Sequence, residues 1–150
     1  MSSTPGAPAA CQSSDLGASL NSGDGGAAGS QLPNLVLANI GTQTCTLRGY
    51  PGVSFVGNNN GTQLGASGVQ VDQSSVQTVT LAPRAAAVSH LRIVQASNFP
   101  SDKCQPAAAD GLRIYPPDQT AALFVQSSSF TACTNDALAL ISVGPMEPSS

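Results

Sequence analysis

The sequence predicts an all-β fold, an immunoglobulin-like antiparallel β-sandwich of about seven to nine strands held by two disulfides. Short apolar segments rich in Val, Leu, Ile and Thr alternate with turn residues, and none has the long 3.6-residue periodicity of a helix. The 150 residues are a usual size for one domain. The four cysteines are even in number and widely spaced. Because there is no tryptophan, the antibody pattern is missing and we expect a sandwich by architecture alone.

Seven segments have the composition of strands, and an eighth is weaker. The seven are residues 35–40, 53–56, 76–81, 87–94, 112–115, 121–125 and 137–143, and the weaker one is 16–20. Gly, Asn, Pro and Asp are concentrated between these segments, at residues 23–26, 58–61 and 116–118, and predict turns there. Asn60-Gly61 is the strongest hairpin signal, because this dipeptide adopts the positive φ angles of a tight turn.

Gly49, Pro51 and Gly52 interrupt a strand-like pattern. A continuous central ladder does not tolerate this composition, so the segment predicts a bulge or a corner, which Cys45 pins. We expect Tyr50 to pack its ring on the core there and to bond its hydroxyl to nearby backbone.

The four cysteines are Cys11, Cys45, Cys104 and Cys133. With one histidine in the chain and no C-x-x-C pair, disulfides are a better interpretation than a zinc site. Three pairings are possible. Each half of the chain holds two cysteines close to predicted strands, so we favour Cys11 with Cys45 and Cys104 with Cys133.

Three regions divide the chain. Residues 1–10, rich in Pro, Ala and Ser, predict a flexible tether, 11–145 the single domain and 146–150 a C-terminal tail. Disulfides persist in oxidising compartments, so we expect an extracellular or cell-envelope location. The first residues lack the basic and apolar regions of a signal peptide. We therefore expect Met1 to be an added start, with the native signal or lipoprotein anchor absent.

Charge and hydropathy exclude several partners. Only 9% of residues are charged, the net charge is −3, and the five basic residues are scattered. No patch is present that neutralises a run of phosphates, so a nucleic acid partner is not expected. No apolar run approaches the roughly 18 residues of a transmembrane segment, and no polybasic membrane contact is present.

The chemistry of the sequence does not indicate an enzyme, a cofactor or a metal. The single histidine, His90, lies within a predicted strand, and there is no G-x-S-x-G motif. Residues 23–28 match the letters of a dinucleotide-binding turn, but no strong strand precedes them and Pro33 soon follows. The aspartates fall singly in predicted loops, without D-x-D spacing or a pair suited to glycoside hydrolysis.

Several motifs together resemble one protein family. They are an Ala-Gly-Ser turn at 28–30, a strand at 35–41 that ends in Asn-Ile-Gly, the run TCTLRGYPGV at 44–53, VTLAP at 79–83, Cys104, LRIYPP at 112–117 and Cys133. The pattern is similar to the domain of unknown function 4232 (DUF4232) family of actinobacteria over nearly all of residues 11–145, although Arg84 stands where a glycine is usual. The resemblance implies export, often as a lipoprotein or after a cleaved signal, and a β-sandwich. It implies no activity.

Two functional classes remain for an exported domain of this kind. We expect a protein-interaction or binding module of the cell envelope, whose partner is an unknown protein. The alternative is a carbohydrate-binding module that recognises cell-wall glycan, for which Tyr115 beside Pro116-Pro117 is the candidate exposed ring. A protease-inhibitor-like domain is a more distant alternative, because no reactive-site loop is identifiable.

Recognition by a sandwich is expected in its loops, and three are long enough here. They are residues 21–31, the tip 58–61 with the adjoining 62–75, and 96–110. We choose the last, because Phe99 is an apolar ring in a polar loop, followed by Asp102 and Lys103 and anchored by Cys104. The alternative for Phe99 is that its ring folds back over the core.

Overall fold

The structure is a computed structural model that describes residues 8–21, 26–27, 30–128 and 130–149. Residues 1–7 of the predicted tether, residues 22–25 and 28–29 of the Gly-rich loop, Ser129 and Ser150 lie outside the described residues. Most of the predicted turn at 23–26 and most of the Ala-Gly-Ser motif at 28–30 therefore also lie outside the described residues.

The described residues form sixteen strands, which confirms the all-β prediction. The strands are β1 (Leu16–Asn21), β2 (Gly26–Ala27), β3 (Ser30–Gln31), β4 (Asn34–Asn39), β5 (Cys45–Arg48), β6 (Gly52–Gly57), β7 (Thr62–Gln63), β8 (Val69–Gln70), β9 (Thr78–Leu81), β10 (Ala86–Val94), β11 (Pro106–Ala108), β12 (Gly111–Tyr115), β13 (Leu123–Gln126), β14 (Thr131–Cys133), β15 (Ile141–Val143) and β16 (Glu147–Pro148). Helical turns occur at Ser13–Asp15, Gln73–Ser75 and Ala96–Asn98, and one α-helical turn, α1, at Ser101–Cys104.

The larger sheet runs in the order β1-β4-β10-β15-β8, with β3 and β16 also pairing with β10. Alternate residues of β4, namely Leu35, Leu37 and Asn39, are buried, as expected for a strand with one face on the core. Its ladders are antiparallel except that β15 pairs with β8 in parallel. This one parallel pair departs from the purely antiparallel prediction.

The second sheet runs in the order β13-β12-β6-β7 and is antiparallel throughout. Two further short ladders, β5 with β9 and β11 with β14, lie outside both sheets. The predicted hairpin is confirmed, since β6 and β7 flank residues 58–61 and pair Val56 with Gln63, but the positive φ angles fall on Asn58, Asn59 and Gly61 and not on Asn60.

The two sheets share one hydrophobic core, which gives the sandwich arrangement. Its largest fully buried apolar side chains come from both sheets, among them Leu35, Leu37 and Ile141 from the larger and Phe55, Leu112 and Ile114 from the smaller. Burial of each such side chain contributes about 1.5–3 kcal/mol relative to exposure.

Three predicted strands begin two or more residues later in the structure, whereas the other five match it to within one residue at each end. Segment 76–81 becomes strand only from Thr78, because residues Gln73–Ser75 form a 3-10 turn that Val76 closes. Segment 137–143 is strand only at Ile141–Val143, because Asn135 forms a turn by accepting the N–H of Ala137 at its side chain. Segment 121–125 is shifted to Leu123–Gln126.

The corner predicted at residues 49–52 is present. It joins β5 to β6, which belong to different ladders, and Gly49 has a φ of +102° there. The ring of Tyr50 packs against the core, and its hydroxyl donates a 2.7 Å hydrogen bond to the carbonyl of Val71. The predicted structural role of Tyr50 is therefore confirmed.

The favoured disulfide pairing is also confirmed, as Cys11 bonds Cys45 and Cys104 bonds Cys133. All four cysteines are buried. The first bond fastens the chain start to β5, where the N–H of Cys11 also donates to the carbonyl of Thr46.

The packed structure extends slightly beyond residues 11–145 at both ends. The carbonyl of Ala9 accepts the N–H of Thr46, in the region assigned to the tether. Met146, assigned to the tail, is fully buried, and strand Glu147–Pro148 pairs with β10.

Two glycines with nearly equal φ give a matched test of this packing. Gly65 has a φ of +78°, and a Cβ there would lie 2.1 Å from the carbonyl oxygen of Cys133, whereas Gly61, at +76°, has open space. We expect Gly61→Ala to cost about 1 kcal/mol of unfolding free energy, because its only penalty is the left-handed backbone. Gly65→Ala adds a backbone clash and should cost about 3 kcal/mol or more, lowering the melting temperature by about 10 °C. Equal melting temperatures for the two variants would contradict this packing.

Candidate functional site

The predicted loop 96–110 holds three of the four candidate residues. Phe99 follows the turn Ala96–Asn98 and is half-buried with its ring against the core, while Asp102 and Lys103 are exposed on α1. Phe99 therefore lies between the two expected arrangements, neither fully exposed nor fully buried.

A cavity of about 350 Å³ lies beside this loop. We call it the Phe99 cavity; residues that line it include Ile93, Ala96, Phe99, Cys104 and Phe130. It combines apolar walls with the buried Cys104–Cys133 bond, which ties α1 to β14.

The fourth candidate, Tyr115, lies on a different element, β12. It is half-buried, and its side chain lies over Gly52, where a Cβ would be 3.4 Å from the Cβ of Tyr115. The guanidinium carbon of Arg113 is 5.8 Å from the centre of the Tyr115 ring, within the range of a cation–π contact.

Tyr115 shares the outward face of the second sheet with Arg113 and Phe124. Side chains alternate along β12, so that Leu112 and Ile114 are buried while Arg113 and Tyr115 are partly exposed. Phe124 of β13 lies directly opposite Arg113 in the register, which places both on the same face. Arg113 and both rings therefore lie on one face of the sheet, with the guanidinium near the Tyr115 ring.

Phe124 is the exposed ring of this face, with 55% of its surface accessible. Its Cε1 atom comes within 3.0 Å of the position that a Cβ of Gly111 would occupy. The ring therefore leans across β12 in space that a side chain at residue 111 would fill.

Arg113 is fixed by neighbours on the adjoining hairpin. Its Nη2 donates to the Gln63 side-chain carbonyl at 2.8 Å, and its Nη1 donates to the Gly61 carbonyl at 3.3 Å. The Nε atom is buried and has no hydrogen-bond partner among the described residues. These contacts position the guanidinium before any ligand binds.

The loop 58–61 forms a wall beside this face. Asn58 and Asn59 have φ angles of 61° and 56°, in the left-handed region that asparagine tolerates better than most residues. The N–H of Asn59 donates a 2.7 Å hydrogen bond to a carboxylate oxygen of Asp110, and the N–H of Asp110 donates to the carbonyl of Val56. Asp110 thus fixes the loop to the start of β12.

Between this wall and Phe124 lies a groove of about 880 Å³, within the size range of ligand sites. We call it the outer-face groove, and its chemically distinctive lining residues are Asn59, Asn60, Asp110, Arg113, Phe124 and Gln126. The sequence had placed the 58–61 tip among the candidate loops and Asp110 at the end of the chosen loop 96–110, but it had not identified Phe124 or Arg113.

The side chain of His90 contacts Asn34 and Glu147 and not a serine hydroxyl of the described residues. It is exposed on β10, with Nδ1 2.7 Å from the side-chain oxygen of Asn34 and Nε2 3.8 Å from a carboxylate oxygen of Glu147. In the described ranges, no three His, Cys, Asp or Glu side chains come together as a possible metal site. No helix in the described part of the chain is long and apolar enough to span a bilayer.

Comparison with known proteins gives one positive result. The model of a family described as Domain of unknown function (DUF4232) matches residues 11–147. No curated protein matches the chain. No solved structure matches it either.

Proposed function

Because the chain belongs to the DUF4232 family, whose description assigns no activity, we propose a function from the surface of the domain. The domain is a non-catalytic binding module of a protein that is secreted or held in the cell envelope. Its partner is a protein or a cell-wall glycan, and the outer-face groove is the binding surface.

Two buried disulfides support the extracellular location. Such bonds suit an oxidising compartment, and cytosolic thiol buffers oppose them. A charged fraction of only 9% also suits recognition by neutral polar groups rather than by a strong electrostatic field.

The exposure of Phe124 beside the prepositioned Arg113 is the observation that carries the binding role. A single exposed apolar side chain is common on protein surfaces, but here the exposed ring and a prepositioned guanidinium lie in one groove. Aromatic and arginine side chains are also the residues that most often dominate binding energy. Both lie in the outer-face groove, next to a loop that is already fixed.

The groove's carboxylate is engaged structurally, which supports a non-catalytic role. One oxygen of Asp110 accepts the N–H of Asn59 and so holds the loop wall in place. The other polar side chains that line the groove are amides, a guanidinium and the hydroxyls of Ser127 and Ser128, which bind and orient ligands but are weak acids and bases at neutral pH.

Affinity capture from a cell-envelope extract tests this proposal. The oxidised domain is immobilised, and Phe124→Ala is compared with Ile40→Ala, which removes an apolar side chain that is 67% exposed elsewhere. We expect Phe124→Ala to reduce retention of the captured ligand at least about tenfold, because it removes the central anchor, and Ile40→Ala to leave it unchanged. Retention that is insensitive to Phe124→Ala would refute the groove as the binding surface.

The loop 96–110 is the second candidate surface, favoured by the Phe99 cavity next to the exposed Asp102 and Lys103. The same capture experiment separates the two surfaces. If Phe99→Ala abolishes retention while Phe124→Ala and Asn59→Ala do not, this loop is the binding surface. If Phe99→Ala has no effect and the other two variants lose retention, the outer-face groove is the binding surface.

A further inference from the structure

We infer that the ligand of the outer-face groove is a neutral, polyhydroxylated sugar chain. This inference rests on the proposed function and specifies the chemical class that the groove recognises. It follows from the charge of the groove, from its polar groups, from its exposed ring and from the covered edge of the sheet.

The charges in the groove cancel. Asp110 and Arg113 are the charged residues that line it, one of each sign, and Arg113 already donates to two protein oxygens. A polyanionic ligand needs a cluster of cations, and a cationic ligand needs a cluster of carboxylates. This pairing favours a ligand without net charge.

The remaining polar groups suit hydroxyls. The amides of Asn59 and Gln126 each have a donor and an acceptor on one planar group, whereas Asn60, whose side-chain oxygen already accepts from Thr62, contributes its amide N–H₂ donor. A sugar hydroxyl likewise donates and accepts. One side-chain amide can therefore accept from one hydroxyl and donate to the adjacent one. Asn59 and Asn60 belong to the fixed loop, which lowers the conformational entropy lost on binding.

The exposed ring supplies the apolar part of the site. The C–H groups on one face of a pyranose carry partial positive charge and match the negative face of an aromatic ring. Phe124 leans across β12 over Gly111, as a side chain at residue 111 would not allow, and remains 55% exposed. A sugar ring resting on Phe124 would have its rim hydroxyls within the amide-lined part of the same groove.

The outer-face groove suits an extended peptide less well than a sugar chain. Peptides that add to a sheet need an open edge with a row of free backbone groups. β13 is the outer strand of its sheet, but β1 of the larger sheet packs against it, and the hydroxyl of Ser13 donates to the carbonyl of Ala121 just before β13 begins. Recognition here therefore falls on side chains of the sheet face.

The test uses the full oxidised chain on one array that carries three sets of probes. These are neutral oligosaccharides of hexoses, N-acetylhexosamines and pentoses, their uronic acid and sulfated counterparts, and extended decapeptides. We expect the protein to bind at least one class of neutral oligosaccharide. We expect it to bind neither the charged sugars nor the peptides. Phe124→Ala should weaken that binding at least about tenfold, Phe124→Tyr should retain it, and Ile40→Ala should leave it unchanged.

The possible failures are distinguishable. Binding of peptides or charged sugars that is lost in Phe124→Ala would overturn the sugar inference and leave the groove as a binding surface. Binding of neutral sugars that Phe124→Ala does not weaken would place the sugar elsewhere and overturn the inference. No binding to the neutral set would overturn it as well, and the proposed function would then depend on the envelope capture alone. The melting temperature of each variant confirms folding, and little change is expected because the side chains at 124 and 40 are exposed.

Discussion

Reduction of both disulfides is expected to remove most of the net stability of this domain. The bonds join residues 34 and 29 positions apart, and the chain-entropy account gives each a contribution of about 3 to 4 kcal/mol. Their sum of about 7 kcal/mol is comparable to the whole unfolding free energy of a typical domain, about 5–15 kcal/mol. Chemical denaturation of the oxidised and the reduced, alkylated protein measures the difference.

Single-pair variants separate the two contributions. Cys11→Ser with Cys45→Ser, and Cys104→Ser with Cys133→Ser, should each lose about half of the total, since the loop lengths are similar. Thiol titration of denatured, unreduced wild-type protein should read about zero, because no described cysteine is free. Two or more reactive thiols, or a reduced protein as stable as the oxidised one, would contradict the account.

Replacement of Asn39 by aspartate is the point substitution with the largest expected effect. The Asn39 side chain is fully buried, and its amide nitrogen donates to the carbonyls of Gln43 and Leu81 at 2.8 and 3.0 Å. An ionised carboxylate has the same shape but only acceptors, so it would face two carbonyl oxygens with no hydrogen to share. We expect Asn39→Asp to lose about 4 kcal/mol of unfolding free energy and about 10 °C in melting temperature.

The pH dependence of this loss identifies its cause. The native site disfavours the charged form, so the pKa of the introduced carboxyl should lie above that of an exposed aspartate. The folded variant then binds more protons than the unfolded chain, and its deficit relative to wild type should shrink as the pH falls from about 7 towards about 4. Asn58→Asp is the matched control, because the exposed Asn58 gains the same charge without burial. A similar loss in both variants would refute this role for Asn39.

The longest strand was predictable because its polar and apolar residues alternate. In β10, Leu91 and Ile93 alternate with His90 and Arg92, and burial follows that alternation. The corner at Tyr50 was predictable because Gly and Pro leave few alternatives there. Strand Cys45–Arg48 was missed, since it pairs only with β9, and four residues show too short a pattern. In residues 137–143 the apolar pattern is longer than the strand. The side chain of Asn135 forms a local turn by accepting the N–H of Ala137, and the apolar pattern does not reveal this turn.

The candidate site was less predictable than the fold. Residues 121–125 are apolar at every position, so the sequence does not show which alternate face is turned to solvent, and it does not reveal that Phe124 is exposed. The groove also depends on the opposition of Arg113 and Phe124, and on the bond from Asn59 to Asp110 across 51 positions of the chain. Sequence spacing does not reveal such long-range contacts.

Site-specific photocrosslinking tests the proposed binding surface most directly. A benzoylphenylalanine is placed at position 124, with matched proteins that carry it at positions 99 and 40, and each is irradiated in cell-envelope extract. The outer-face groove predicts a dominant adduct from position 124 and little or none from the other two. An adduct from position 99 or 40, with none from position 124, would contradict the proposed surface.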